Sequence, residues 1–417
     1  MKKLLNTFSI YKGLDRSIYI LFFARIVNAI GSFVYPFLTM FLTDKLGIST
    51  GRAGMYILLS GLSFIPGSFI GGKLSDVIGR KKVMVLGQSL SAAAFIPCAF
   101  LGDSLLIPWF IIIADFFIGA AHPANQAMAT DLSTPQTRKA AFSFLYLGHN
   151  IGFAAGPMIA GFLYKNHIPM IFIGDALTSF LSVMLVIFLV PESKPSKEAI
   201  EAGFSLDTEE RAQEGSLLKV LIGKPFLLIF VIIVTAFNFV YAQSTFSLPI
   251  QLIDILGDRG PLLFGSIMTF NAVVVIFFTT FAIALTKKIA PILNVTISGL
   301  LYAVGFGIIF FIESQYLFFV STFIWTIGEI IGATNTDVYI ANHTPISHRG
   351  RFNSILPVLL GSGHILGPAV MGKFIEKYSV RDVWSFSFFL AGIGIVSLLL
   401  LYFIERKFRK GKEALSS

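Results

Sequence analysis

Long apolar stretches dominate this sequence and leave it few possible folds. Of its 417 residues, 55% are hydrophobic and only 13% are charged, which is more apolar surface than a water-soluble core of this length can bury. A helix needs about 20 residues to cross a hydrocarbon layer roughly 30 Å thick. Twelve stretches qualify, so we predict a membrane protein. The predicted spans are 17–43, 52–72, 83–102, 106–130, 140–164, 168–191, 221–249, 262–285, 291–312, 316–341, 352–374 and 382–404.

One long polar stretch separates these spans into two sets of six. The predicted organisation is an N-terminal six-helix bundle over 1–191, a cytoplasmic linker over 192–220 and a C-terminal six-helix bundle over 221–417. The predicted fold class is therefore all-α and integral to the membrane, with twelve transmembrane helices in two bundles.

The distribution of lysine and arginine predicts which side of the membrane each loop faces. If both termini are cytoplasmic, Arg25 is the one basic residue away from the ends of a span, seven lie in outer loops or at the span ends beside them, and the rest of the 32 fall on the inner side. Cytoplasmic loops are enriched in Lys and Arg in this way. We therefore predict a multi-pass protein of the cytoplasmic membrane, whose net charge of +9 reflects contact with anionic lipid and not with nucleic acid. The seven outer residues are Lys45, Arg52, Lys165, Arg259, Lys373, Lys377 and Arg381.

The sequence carries no signature of an enzyme. It has no Gly-x4-Gly-Lys phosphate loop, no cluster of metal ligands and no nucleophile constellation. Its one cysteine, Cys98, lies in an apolar run and is expected to be a packing residue. We therefore expect no catalysis, no cofactor and no bound metal.

A glycine-proline pattern occurs twice and indicates that the two halves are related. The second copy lies 211 positions after the first, and Arg138 and Arg349 share this offset. Asn125 and Asn335 lie 210 positions apart. Such glycines let a neighbouring helix approach closely, and the proline bends the span. The copies are Gly152, Gly156, Pro157 and Gly161, then Gly363, Gly367, Pro368 and Gly372.

The turn between the second and third spans carries the most specific motif. The string from Gly72 to Lys82 resembles the loop signature of the major facilitator superfamily, although Val77 stands where that family has a basic residue. The string from Gly152 to Gly161 resembles the antiporter motif of its drug:proton exchangers. With the twelve spans and the central loop, the resemblance covers essentially the whole chain. It implies two pseudo-symmetric bundles and the activity of a multidrug efflux transporter.

Residues of the same turn can form a gate on the cytoplasmic side. Gly72 and Gly79 permit a tight reversal of the backbone, and Asp76 can lie against a helix N-terminus. Arg80 can pair with a carboxylate at the end of another span, and Asp131 is the available one. We expect this cluster to hold the two halves together and to open when the protein changes state.

Ionisable side chains inside the spans mark the candidate coupling site, because each costs several kcal/mol near the bilayer centre unless it is paired or hydrated. Glu329 lies 13 residues into the tenth span, about 20 Å along the helix and thus near the midplane. The segment Ile327-Gly-Glu329-Ile resembles the tenth-span segment of multidrug/proton antiporters, in which a carboxylate serves drug binding and protonation. We therefore predict these roles for Glu329.

Other charged residues in the spans are candidates for the same site. Asp337 is eight residues beyond Glu329, about 80° around the helix and ~12 Å further along it, so both can line one cavity. Arg25 has a depth similar to that of Asp337 and can pair with it or with another acid. Asp115 occupies the position where the family's fourth-span motif has arginine, which suggests that Arg25 supplies the positive charge. We expect Asp175 to be a packing residue.

These features predict a proton-coupled secondary transporter that exports hydrophobic or cationic amphiphiles by alternating access. Its partners would be a small-molecule substrate, protons and membrane lipid, and its functional unit a monomer. Two alternatives remain open: a proton-coupled importer of a metabolite or nutrient, and a relative that moves lipid or transports nothing. Polar side chains expected to give the cavity hydrogen-bonding capacity are Asn28, Asn238, Gln243 and Asn335.

Overall fold

A computed structural model gives the fold of this chain and describes residues 11–134, 137–194, 224–286, 288–343 and 349–416. Within these ranges the regular secondary structure is helical, with no strand, as the composition predicts. The predicted linker lies outside the described residues from position 195 onward.

The described part of the N-terminal half contains eight α-helices. They are α1 (Arg16–Ile30), α2 (Val34–Met40), α3 (Thr50–Ile78), α4 (Arg80–Cys98), α5 (Ile107–Asp131), α6 (Arg138–Phe153), α7 (Gly156–Tyr164) and α8 (Ile168–Leu189).

The described part of the C-terminal half contains seven more. They are α9 (Pro225–Tyr241), α10 (Ser247–Leu256), α11 (Gly260–Thr286), α12 (Pro291–Gly307), α13 (Gln315–His343), α14 (Arg349–Lys377) and α15 (Asp382–Ser416).

Helices occupy all twelve predicted spans, but nine stretches of the described chain are long and apolar enough to cross a membrane. The third predicted span is not among the nine because α4 begins with three basic residues, which lower its hydrophobicity. The fifth is not among them because its helix is interrupted between α6 and α7, which leaves two shorter helices. The seventh and eighth spans form one continuous apolar stretch, Pro225–Thr279.

The first span is broken, and a buried acid stabilises the break. α1 ends at Ile30, and α2 begins at Val34. The Oδ2 atom of Asp175, on α8, accepts hydrogen bonds from the backbone N–H groups of Phe33 and Val34 at 3.3 and 3.2 Å. These groups have no acceptor within the helix that they start, so Asp175 satisfies them. Its structural role was expected from the sequence.

The described chain divides into two compact units. Unit 1 is drawn from Met1–Ser49, Met55–Ser205 and Leu252–Ala272, and unit 2 from Thr50–Gly54, Leu206–Gln251 and Val273–Ser417. The start of α3 therefore groups with unit 2, whereas the end of α10 and the first half of α11 group with unit 1. The domain limits at 191 and 221 remain predictions.

In unit 1, the first glycine-proline copy packs against the start of α11. A Cβ at Gly161 would lie 2.9 Å from the carbonyl oxygen of Pro261. In return, a Cβ at Gly265 would lie 2.3 Å from the carbonyl oxygen of Pro157. Only glycine permits backbones to approach this closely, which is how small residues act at helix interfaces in membranes.

In unit 2, the second copy makes the equivalent contact with the start of α3. A Cβ at Gly372 would lie 2.3 Å from the carbonyl oxygen of Thr50, and one at Gly54 would lie 2.1 Å from that of Pro368. Each of these four residues stands 211 positions from its counterpart in unit 1. The repeat predicted from the motif therefore extends to the residues that the motif contacts.

The two copies differ in how the proline acts on the helix. Ala154 and Ala155 separate α6 from α7, so the helix of the first copy is interrupted just before Pro157. In the second copy, α14 continues through Pro357 and Pro368 without a break. The prolines therefore do not interrupt the two helices alike.

Candidate functional site

A cavity of about 330 Å³ lies within unit 2 and contains both acids of α13 that the sequence singles out. Glu329 and Asp337 line it together with Asn238 of α9. Aromatic side chains of α9 and α12 form much of its wall, and His364 of α14 adds an imidazole. The complete lining is Val234, Phe237, Asn238, Tyr241, Val295, Ser298, Tyr302, Glu329, Gly332, Ala333, Thr336, Asp337, Leu360 and His364.

Close packing of α12 on α13 holds the acidic helix in place. The hydroxyl of Ser298 donates a 2.7 Å hydrogen bond to the backbone oxygen of Gly328, immediately before Glu329. A Cβ at Gly332 would lie 2.5 Å from the Ser298 hydroxyl oxygen, so the helices meet where α13 has no side chain. One turn of α13 therefore presents Glu329 to the cavity while its backbone rests on α12.

Two of the predicted polar residues lie outside this cavity. Gln243 is fully buried, and its Oε1 atom accepts a hydrogen bond from Ser247 while its Nε2 atom donates to the carbonyl of Phe239. Asn335 accepts a 2.8 Å hydrogen bond from Asn294 of α12. Both side chains therefore support helix packing, whereas Asn238 lines the cavity and also donates to the Leu360 carbonyl at 2.9 Å.

A second cavity, of about 160 Å³, lies within unit 1 and contains Arg25 and Asn28. The Nδ2 atom of Asn28 donates to the hydroxyl of Ser179 at 3.0 Å. Among the described side chains, none forms an ion pair with Arg25. The full lining is Leu21, Ala24, Arg25, Asn28, Ser32, Tyr35, Met84, Gln88, Ser91, Phe95, Ile118, Ala121, His122, Asn125, Leu145, Asp175, Ser179 and Ser182.

Asp115 has a partner that the sequence analysis does not identify. The hydroxyl of Tyr35, on α2, donates a 2.6 Å hydrogen bond to its Oδ1 atom. Asp115 is buried and does not line either cavity. Within unit 1, none of the described acids forms an ion pair with Arg25, and Asp115 is held by a phenol.

The predicted partners Arg80 and Asp131 are in contact within unit 1. The Nε atom of Arg80 lies 3.1 Å from Oδ2 of Asp131. Its other nitrogens reach Oδ1 of Asp76 at 3.2 Å and the carbonyl of Ser75 at 2.9 Å. The Arg80 side chain is only 13% exposed. One guanidinium therefore joins the end of α3, the start of α4 and the end of α5.

Only one of the two predicted turn glycines has a conformation that requires glycine. Gly79 has φ of 109°, in the region that L side chains rarely adopt, and it separates α3 from α4. Gly72 lies inside α3, where a Cβ would make ordinary contact with Pro123 at 4.0 Å. The reversal of the chain therefore depends on Gly79, and the prediction for Gly72 is corrected.

Glu192, which the sequence analysis does not predict, takes the place expected for Asp76. Its Oε1 atom accepts hydrogen bonds from the backbone N–H groups of Arg80 and Lys81 at 2.8 and 3.2 Å, at the start of α4. Among the described residues, Asp76 caps no helix and pairs with Arg80. Partial burial raises the pKa of Glu192, but four backbone N–H donors outweigh this and lower the pKa overall.

Unit 2 contains a polar cluster that the sequence analysis also missed. The imidazole of His343, at the end of α13, has Nε2 at 2.8 Å from Oε1 of Glu405 and Nδ1 at 2.8 Å from the Tyr339 carbonyl. The Tyr339 hydroxyl donates to the other carboxylate oxygen at 3.0 Å. Both imidazole nitrogens thus face acceptors. Spacing gave no signal, because Glu405 lies on another helix.

An all-helical chain with repeated halves and polar cavities among apolar helices has the architecture of a secondary transporter. The sequence profile of the Major Facilitator Superfamily matches residues 21–331 and 260–416, so the chain belongs to this superfamily. It is therefore a multi-pass membrane transporter of the major facilitator type. The resemblance at the family level is confirmed.

Similar proteins cover most of the chain. The uncharacterized MFS-type transporter YqjV of Bacillus subtilis (strain 168) is 25% identical over 388 residues, which cover 90% of each chain. A Na(+), Li(+), K(+)/H(+) antiporter of Planococcus maritimus is 23% identical over 359 residues, covering 80% of this chain and 84% of the antiporter.

Solved structures agree on the fold. The crystal structure of a POT family transporter in complex with 5-aminolevulinic acid superposes with a TM-score of 0.74 at 17% identity. The match covers 95% of this chain and 97% of that one. At this identity the likeness shows the fold alone.

Proposed function

We propose that this transporter exports cationic amphiphiles in exchange for protons, through the cavity of unit 2. The observation that carries the proposal is the placement of Glu329 and Asp337 in one cavity with aromatic walls. Two carboxylates can balance the positive charge of a substrate, and they can bind protons when the substrate has left. The same groups would thus serve substrate and coupling ion in turn.

The size and lining of the cavity suit a flat cation. Its volume of about 330 Å³ falls in the range of small-molecule sites, roughly 300–1,000 Å³. Phe237, Tyr241 and Tyr302 contribute aromatic rings to the wall. A cation held against an aromatic face gains about 0.5–2 kcal/mol, more when water is excluded. Asn238 adds a polar amide that can orient the substrate.

Competition between protons and substrate couples the two fluxes. Protonated carboxylates are neutral and release a cation, whereas ionised carboxylates bind it. If the cavity opens in turn to each side of the membrane, a proton entering from the outside would drive the substrate out. The similarity to a cation/H(+) antiporter supports exchange as the mode of coupling.

The cluster around Arg80 would act in this cycle as a gate. We propose that both termini face the cytoplasm of the cell, which places Gly79, Arg80 and Glu192 on that side. A substrate-induced movement that separates Arg80 from Asp131 would break a contact at 3.1 Å. We further propose that the protein functions as a monomer, since one chain contains both cavities, that of unit 1 and that of unit 2.

The test is transport by the purified protein in liposomes with an acid interior. Wild-type protein oriented inside-out should accumulate ethidium, and Glu329→Gln should abolish the accumulation because the amide neither balances a cation nor takes up a proton. Asp337→Asn should lower it to a smaller extent, since Asp337 is the more exposed of the two. Glu313→Gln is the matched control, because the Glu313 side chain is 80% exposed and lies outside the cavity.

Undiminished accumulation by Glu329→Gln would rule out the proposed role of this acid. The direction of proton movement distinguishes a proton-coupled exporter from a proton-coupled importer. Protons that leave the liposome as the dye enters indicate exchange, whereas protons that move together with a solute indicate symport.

A further inference from the structure

We propose that the cavity of unit 1 binds an oxyanion, the carboxylate or sulfonate group of an amphiphilic substrate, at the guanidinium of Arg25. The inference rests on the proposed function only in that the ligand is a transported molecule. It extends the substrate class from cations to molecules that carry an anionic group.

The first step concerns the charge of Arg25. This side chain projects from the middle of α1 into the cavity, and it is partly buried in a membrane-spanning helix. None of the described side chains pairs with it. A cation in such a place is costly unless water or an anion balances it. A bound oxyanion would supply the missing counter-charge with two parallel hydrogen bonds.

The two buried acids of the same unit are already engaged elsewhere. Asp115 accepts a hydrogen bond from Tyr35 at 2.6 Å and does not reach the cavity wall. Asp175 lines the cavity, but its Oδ2 atom accepts from the N–H groups of Phe33 and Val34 at the start of α2. Each acid therefore has a structural partner, and the guanidinium is left for a ligand.

The remaining polar lining consists of neutral groups that can donate hydrogen bonds. Gln88, His122 and Asn125 supply amide and imidazole N–H groups from α4 and α5, and Ser91 and Ser182 supply hydroxyls. Donors without further carboxylates favour an anion over a cation. The free space of about 160 Å³ exceeds by far the 10–15 Å³ that one water needs on the same scale, so an oxyanion with several attached carbons fits.

Binding to the purified, detergent-solubilised full-length protein tests this site without any gradient. The probes share one ring: naphthoate, the uncharged naphthalenemethanol and the cationic naphthylmethylammonium. We expect Arg25→Gln to weaken naphthoate at least about tenfold while the other two probes bind as before, because hydrogen bonds to a charged group are lost. Arg25→Lys should retain part of the affinity. Arg16→Gln, an exposed arginine at the start of the same helix, is the matched control.

A second variant keeps the test decisive if Arg25→Gln does not fold. Gln88→Glu keeps the shape of the side chain and places a carboxylate in the cavity, so it should also weaken naphthoate selectively. Sulfate competition identifies the source of the anion. Displacement of naphthoate by sulfate supports one shared oxyanion site. If sulfate binds in a manner that depends on Arg25 and naphthoate does not bind, the site belongs to a free inorganic ion.

Two results would overturn the proposal: naphthoate affinity that Arg25→Gln and Gln88→Glu leave unchanged, or an equal loss for all three probes, which would indicate a structural role. The outcome is separate from that of the transport assay. Glu329→Gln can abolish dye accumulation while naphthoate binding persists, and the reverse can hold.

Discussion

The two units tie their helix ends together with different chemistry. In unit 1, Arg80 at the start of α4 contacts Asp131 at the end of α5. The residue 211 positions after Arg80 is Pro291, at the start of α12, which carries no charge. Unit 2 instead ties the end of α13 to α15 through His343 and Glu405.

The difference teaches which features of a duplication are retained. The backbone contacts of Gly54 with Pro368 and of Gly265 with Pro157 are equivalent in position and in distance. A close approach of two backbones allows only glycine, so both units have glycine at these positions. A polar contact between helix ends can be formed by several residue types, and the two units use different ones.

The cavities differ in the same way. That of unit 2 contains two carboxylates, whereas that of unit 1 contains a guanidinium, neutral donors and one carboxylate, Asp175, which accepts hydrogen bonds from the start of α2. The halves thus share a scaffold and differ in the charged side chains that line their cavities. Substitutions at the paired glycines, at the helix ends and at Glu192 test this comparison.

The largest effect is expected from valine at the paired glycines. Gly54→Val and Gly265→Val should each lower the free energy of unfolding by about 3 kcal/mol or more, because the nearest atom is a backbone oxygen that cannot rotate away. Thermal unfolding in detergent measures both. Gly392→Val is the control, since a Cβ there would meet no atom within 4 Å. Tolerance of one variant and not the other would show that the two contacts are not equivalent.

An intermediate effect is expected at the helix ends. Arg80→Gln should cost about 2–3 kcal/mol of unfolding free energy, because it removes the largely buried guanidinium that contacts Asp76, Asp131 and the Ser75 carbonyl. Lys288→Gln, at the exposed connection before α12, should change stability by less than about 0.5 kcal/mol.

The matching variant of unit 2 is His343→Gln, with an expected cost of about 1–2 kcal/mol from hydrogen bonds to Glu405 and Tyr339. If Lys288→Gln and Arg80→Gln lose the same unfolding free energy, the start of α12 in unit 2 depends on a charge as much as the start of α4 in unit 1 does, and the proposed difference between the units is wrong.

Among the variants expected to lose stability, Glu192→Gln has the smallest effect, about 1 kcal/mol, the usual contribution of a helix cap. The pKa of Glu192 is lowered in the folded protein, so its stabilisation is present above the ordinary value of 4.5 and is lost as pH falls through the lower folded-state pKa. The stability difference between wild type and Glu192→Gln should therefore shrink in acid. A difference that stays constant between neutral pH and pH well below 4.5 would assign the effect to packing.

Part of the site could be predicted because it depends on neighbours along one helix. Glu329 and Asp337 were expected in one cavity from their spacing on α13, and the structure places them there. The contact of Arg80 with Asp131 follows from the scarcity of carboxylates at helix ends. The functional roles of these residues remain predictions.

Other parts depend on distances between helices that no spacing reveals. Tyr35 and Asp115 are 80 positions apart, and Glu192 lies 112 positions after Arg80. Gln243 and Asn335 were expected to line a cavity, but Gln243 bonds to groups four residues away on either side, and Asn335 accepts from Asn294 of α12. Polar residues that line a cavity and polar residues that bond to neighbouring helical groups look alike in a sequence, because helix packing decides which groups each side chain can reach.

The sequence by itself determined that this protein is helical, spans a membrane and is duplicated. Composition and the length of apolar stretches decide the first two, because a backbone in hydrocarbon must satisfy its hydrogen bonds within helices. The fixed offset of 211 positions decides the third. Only the tertiary structure decided that Arg25 lines one cavity and Glu329 another, since the charge that a cavity offers depends on which helices meet around it.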